Sequence, residues 1–204
     1  MEIYYERNRC CHMRRFAMSV SKIEAKIKDL EQAVQAYNEN NIKLSANGGN
    51  SMLFMCPPMD ESEYISVMKK TMSSEKYSFL DMNDLLVKFV EDNADEIKLK
   101  FDFLRNSSNQ IFKLPQGEEG NDLFGMIISE IVKAYDDGKI PVLIRVGALN
   151  GTDIENIHIM ESKIVMNGKK PLIILYPAEK KNQEIMFLGI RPASKYRCMV
   201  IGGN

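Results

Sequence analysis

Three short runs of almost unbroken apolar residues restrict the folds open to this chain more than any other feature. They are Ser51-Met-Leu-Phe-Met-Cys56, Pro141-Val-Leu-Ile-Arg-Val146 and Pro171-Leu-Ile-Ile-Leu-Tyr176. None approaches the roughly 18–20 residues needed to cross a bilayer. A strand with one wet face alternates apolar and polar residues; a run apolar at nearly every position reads as a strand buried on both faces. Two of the runs open with proline, which a first strand residue tolerates because it can spare its amide donor. Tyr77-Ser-Phe-Leu-Asp-Met82 supplies a further, less uniformly apolar strand.

Helical patterns fill the intervals. Ser21-x-x-Glu24 is a capping box, and Ile23, Ile27, Leu30, Val34 and Tyr37 follow at spacings of four and three, predicting a helix over 21–38 that docks on its own domain. Asn47-Gly-Gly-Asn50 then breaks the chain. Asp60-x-x-Glu63 caps a helix to about Met72, and another begins near Asn83 with Leu85, Leu86, Phe89 and Val90 on its apolar side. Residues 94–107 read as helical and 108–120 as a polar connection. Residues 121–137 form the best helix of the second half, stopped by Gly138. Thr152-x-x-Glu155 opens a helix to about Glu161. Two short strands, 184–188 and 196–201, are expected to close the chain as an antiparallel hairpin.

Strands of this kind alternating with helices mean βαβ units and a mostly parallel sheet covered on both faces. The expected fold is a single three-layer α/β domain over 18–204, Rossmann-like or resembling a degenerate NTPase, with a C-terminal antiparallel hairpin. Residues 1–17 stand apart, with four Arg, no Lys and no clear period. They read as an arm, or as an extension ahead of a natural start at Met18. The 204-residue chain is 45% hydrophobic with net charge −1, so it can bury a full core and lacks the cationic field of a dedicated nucleic-acid binder. Four cysteines with no C-x-x-C spacing, and no N-terminal apolar leader, point to a reducing cytosol.

An α/β sheet invites a search for phosphate sites. The first strand ends Cys56-Pro57-Pro58-Met59-Asp60-Glu61, where two prolines remove backbone donors and two carboxylates repel phosphate, so it carries no P-loop. G-x-G-x-x-G and G-x-S-x-G are missing too. The remaining candidate anion loop holds Gly147, Asn150, Gly151 and Thr152; the residues favour a plain βα connection in which Asp153 complements the helix dipole. Cys10-Cys11-His12 has no second half-site for zinc, and His158 sits among apolar helix residues. Asp81, at a strand end, reads as the cap of the next helix. Arg145, inside an apolar run, needs a partner, more often within the fold than in a ligand. Lys180, Lys181, Arg191, Lys195 and Arg197 form a basic terminal rim, equally readable as a partner-binding surface or as charges protecting a sheet edge. No cofactor is implied.

The order of landmarks carries more than any single one. An amphipathic leading helix, an apolar strand closed by Pro57-Pro58, the Val146-Gly-Ala loop, Leu172-Ile-Ile-Leu-Tyr-Pro177, Met186-Phe-Leu-Gly-Ile-Arg191 and Lys195-Tyr-Arg-Cys-Met-Val-Ile201 follow in turn. In this the chain, from about Ser19 to Ile201, resembles the BrxB family of BREX phage-exclusion loci. It departs from the family's pattern at Ala178, usually glycine, at Lys181-Asn-Gln183, which replaces an Asp-Gly turn, and at Cys56, often aromatic. The resemblance implies a non-catalytic α/β component of a defence complex. Its expected partner is a PglZ-type member of the alkaline-phosphatase superfamily, with a methyltransferase and a large ATPase acting nearby. The contact surface is then expected on the terminal hairpin or the leading helix. The rival expectations are an enzyme or nucleotide sensor using the Gly147–Thr152 loop, with Arg145 or Arg191 as counter-charge, and a nucleic-acid-binding subunit using the basic rim.

Overall fold

A computed structural model of the chain describes residues 20–36, 48–104, 108–115, 120–181, 184–193 and 197–202. The arm at 1–17 with its Cys10-Cys11-His12, the end of the leading helix, and Lys195 lie outside them. Strands β1 (Ser51–Cys56), β2 (Tyr77–Asp81), β3 (Ile140–Ile144), β4 (Leu172–Lys181) and β7 (Cys198–Ile201) form a parallel sheet in the order β2-β3-β4-β1-β7. Two short strands, β5 (Glu184–Phe187) and β6 (Arg191–Pro192), add antiparallel pairs beyond it.

Alternation along the strands sorts the core into two halves. Met52, Phe54 and Cys56 of β1 and Ile173 and Leu175 of β4 face one way. They are covered by α1 (residues 20–35), through Ile23, Ile27, Leu30 and Val34, and by α2 (Glu61–Thr71), through Tyr64, Ile65 and Met68. Leu53 and Met55, with Leu172, Ile174 and Tyr176, face the other way. Against them pack α3 (Met82–Asp92), α5 (Leu123–Asp136) and the short α6 (Asn156–Met160) and α7 (Lys163–Met166). A further helix, α4 (Ala94–Phe103), buries no residue. The architecture is the expected three-layer α/β sandwich, and the apolar stripe of α1 is spent on its own sheet.

From β1 the chain crosses over the first face to β2 at the sheet's edge, then returns through β3 to β4 over the second. Reversing direction and changing face together keep the crossovers right-handed. They also leave a switch point at the carboxyl ends of β1 and β4, the place where ligands settle in such sheets.

Several boundaries differ from expectation. β3 is Ile140–Ile144, so Pro141 is its second residue and Arg145 lies just past its end. The proline is tolerated because the β3–β4 ladder begins only at Val142. β4 does not stop at Tyr176 but runs through Pro177, which falls at the last step of the β1 ladder. That extension takes β5 as its hairpin partner, Ala178 opposite Phe187 and Lys181 opposite Glu184. The expected antiparallel pairing of 184–188 with 196–201 is therefore replaced. β7 instead joins the main sheet parallel to β1, Ser51 beside Cys198 and Phe54 beside Ile201. The reason is in β1 itself: buried at all six positions, it needs a neighbour on each side.

Helix starts moved for similar local reasons. A 3-10 turn at Pro58–Asp60 precedes α2, and the Asp60 side chain makes no capping bond. Asp122 caps α5 through the Gly125 amide, at 2.7 Å. The Thr152 hydroxyl donates to the Leu149 carbonyl and accepts from the Ile154 amide, closing a turn rather than opening a helix, and α6 starts four residues later.

Candidate functional site

All parallel strands point their carboxyl ends at one rim, which collects the chemistry-bearing side chains. Asp81, at the end of β2, does cap the next helix: its Oδ1 accepts from the amides of Asn83 and Asp84 at 3.1 and 3.4 Å. Its other oxygen accepts from Arg145 Nη1. The Asp81 side chain is 10% exposed and that of Arg145 45%. Arg145 turns out of β3 with φ of 53°, a left-handed conformation that costs a non-glycine residue of order 1 kcal/mol. Its backbone amide meets the Glu61 carboxylate at the start of α2. Three loops are thus tied together, which answers the partner question for Arg145 within the fold.

Burial pushes the Glu61 carboxyl above its ordinary 4.5, against the opposing pull of the Arg145 amide and charge, and Asp81 adds to the rise. A carboxyl whose folded pKa is raised penalises the native state once ionised, and the penalty disappears as pH falls below the unfolded value. Glu61→Gln is expected to be at least as stable as the parent at pH 7, with that advantage shrinking toward pH 4.5. Urea midpoints across this range test it; a variant less stable throughout would mean that the anchor to Arg145 outweighs burial.

The candidate anion loop is built differently from an anion site. Val146–Leu149 is a 3-10 turn; Gly147 packs its Cα toward Leu188, Asn150 donates its amide back to Gly147, and Gly151 takes φ of 93°. Thr152 is buried with its hydroxyl already used. Arg191 does reach this loop, where a cleft of about 250 Å³ is lined by Leu149, Gly151, Asp153, Ile154, Glu155 and Arg191. However, Glu155 Oε1 accepts from its guanidinium at 3.1 Å, so two carboxylates oppose one cation, an arrangement that repels phosphate. Next to it His158 Nδ1 accepts from the Glu155 amide at 3.0 Å and lies 2.9 Å from Lys113 Nζ. Burial and the Lys113 ammonium hold this imidazole below its ordinary 6.5, which favours its uncharged form.

Among the described residues of the basic rim, three side chains sit beside acids. Lys181 lies 3.8 Å from Glu179, Arg191 pairs with Glu155, and Arg197 lies 3.8 Å from Glu161. Lys180 turns instead toward a cleft over the end of β1. Among the described residues no group of three or more metal-ligating side chains converges, and no helix is long and apolar enough to cross a membrane.

The helix expected over 94–107 is present as α4, and what sequence reasoning missed is its exposed apolar surface. Leu99, Phe101 and Phe103 are 65%, 57% and 87% exposed, and Val87 and Val90 of the preceding helix α3 are half-exposed. The signal was available: Ile97, Leu99, Phe101 and Phe103 alternate with Lys98, Lys100 and Asp102. A period of two spreads side chains around a helix instead of gathering them on one stripe, so this helix cannot hide them. Among the described residues of the leading helix, 20–36, the apolar stripe is buried, and the terminal hairpin exposes Ile190. No protein-family model, no curated protein and no solved structure matches the chain.

Proposed function

We propose that this protein is a non-catalytic adaptor of a BREX-type phage-defence complex in the cytoplasm, and that it works by gripping a PglZ-type protein of the same locus. Two things support the reading: the order of sequence landmarks shared with the BrxB family, and the exposed apolar helix α4. The second carries the argument. Three large apolar side chains on a ten-residue helix that buries nothing are a liability in a solitary protein and an asset in an assembly. Their removal costs the fold little, because none of them belongs to either half of the core.

Co-expression with the PglZ-type protein, followed by size-exclusion chromatography with light scattering, tests the proposal. The parent is expected to form a stoichiometric complex. The double variant Phe101→Asp, Phe103→Asp is expected to weaken it by 100-fold or more, about 3 kcal/mol, the scale of aromatic anchors at interfaces, with its melting temperature unchanged. Absence of a complex at micromolar concentration, or equal binding by the variant, would remove this reading. The rival nucleic-acid reading draws on Lys180, Lys181, Arg191, Lys195 and Arg197. It requires DNA affinity that falls steeply with salt and drops when Lys180, Lys181 and Arg191 are neutralised.

A further inference from the structure

The switch point holds a second cleft, of about 260 Å³, that the adaptor role does not use. Its floor is the end of β1: Met55, Cys56 and Pro57. One wall is the continuation of β4 past its partner, through Ala178 and Lys180, and the opposite side is Gly202, immediately after β7. From above, α1 contributes Lys26. The cleft exists because β1 stops and turns through Pro57 while β4 continues alongside empty space.

The lining determines what fits. Cys56 is 1% exposed and burial holds its thiol far above the ordinary range, which keeps it in the thiol form and makes it part of the apolar lining. Pro57 has no amide to donate, so this rim lacks the backbone cradle on which a P-loop depends. Negative charge on a ligand must therefore be met by side chains. Lys26 and Lys180 supply two ammonium groups, and neither has a salt-bridge partner among the described residues. Lys26 stands 5.8 Å from the Tyr64 ring centroid, a cation–π contact. The one acid of the lining, Glu179, is offset by Lys181 at 3.8 Å. Gly202, at φ of 82°, leaves the cleft open; a Cβ there would come within 3.3 Å of the Met55 carbonyl oxygen.

We infer that this cleft binds a small organic anion, with a flat apolar body on Met55–Pro57 and a phosphate or carboxylate between Lys26 and Lys180. Its volume lies below the roughly 300–1,000 Å³ of drug-sized pockets, which limits the ligand to a single ring with its acidic group. The inference does not depend on the adaptor reading, and it is tested on the protein alone.

Phenyl phosphate and benzoate serve as probes in calorimetric titrations of the full chain at low salt, with inorganic phosphate and benzylamine beside them. Saturable binding of either aromatic anion is expected, at least tenfold tighter than inorganic phosphate, with none of the cation. The double variant Lys26→Gln, Lys180→Gln is expected to lose at least tenfold in affinity, whereas Lys181→Gln, one residue along and turned to Glu179, retains it. Two results overturn the inference: no saturable binding of either aromatic anion up to about 10 mM, a limit equivalent to less than about 3 kcal/mol, or equal affinity in the double variant. Inorganic phosphate binding as tightly as phenyl phosphate would overturn the apolar half of the site.

Discussion

Asn50→Asp, a change of one atom, is expected to cost about 3–5 kcal/mol of stability at pH 7, the scale of an uncompensated buried charge. Asn50 is 2% exposed at the entrance to β1, and its side-chain amide donates to the carbonyls of Val165, Gly168 and Lys170 at 2.9, 2.8 and 3.0 Å. This one side chain fastens the central strand to the loop that leads from α7 into β4. Aspartate is isosteric but has no N–H, and it would aim a carboxylate at three carbonyl oxygens. Asn50→Ala removes the donor without adding charge and is expected to cost about 1–3 kcal/mol, for the carbonyls left unsatisfied. Urea denaturation of the three proteins measures both. The aspartate variant should also recover part of its deficit as the pH is lowered, since protonation restores a donor, whereas the alanine variant should not. Equal stability of the aspartate variant and the parent would mean that water reaches these carbonyls.

One residue earlier, Gly49→Ala is expected to lower stability by about 3 kcal/mol, the upper end of overpacking costs. A Cβ on Gly49 would lie 1.8 Å from the carbonyl oxygen and 2.8 Å from the Cβ of Arg197, the residue that leads into β7. Backbone cannot yield as a side chain end does, so β7 must shift away from β1. Gly48→Ala is the matched control. Gly48 sits at φ of 84° with nothing within 4 Å, so alanine there meets backbone strain alone, about 1 kcal/mol. Hydrogen exchange at residues 198–201 separates the two: the Gly49 variant should lose protection in β7, and the Gly48 variant should keep it. Retained protection with full stability in the Gly49 variant would show that this close approach is dispensable.

These two glycines and the asparagine after them illustrate what a sequence reveals. Asn47-Gly48-Gly49-Asn50 reads correctly as a break, because the composition of turns is local. That Gly49 lies against Arg197 and Asn50 against Lys170 depends on pairings across more than a hundred residues, which no local pattern encodes. The same division runs through the fold. β1, the two-faced core and the stripe of α1 were legible because burial imposes periodicity. The fate of the last strand was not: Cys198-Met-Val-Ile201 is apolar enough for either a hairpin or a parallel edge, and the choice was made by the unpaired flank of β1. At the site, Asp81 as a helix cap and Arg145 as an internally paired cation followed from their chemistry. Arg191 beside the Gly147 loop was considered, but Glu155, which neutralises it, was counted only as a cap. Lys26 escaped notice as a site residue because it lies on the otherwise solvated side of a helix whose buried stripe drew attention.

The placement of β1 also sets the order in which the protein can be completed during synthesis. Its ladder partners are Leu172 to Pro177 on one side and Cys198 to Ile201 on the other. At about 5–20 residues per second, a ribosome exposes this six-residue apolar segment for several seconds or more before its first neighbour emerges, and longer before the second. Until then α1 can shelter one face of the strand, and its edges stay open to any other chain. The strand that organises the finished sheet is thus the one most in need of protection while the chain is being made, and β7, which follows the other parallel strands in the chain, is the one that closes it.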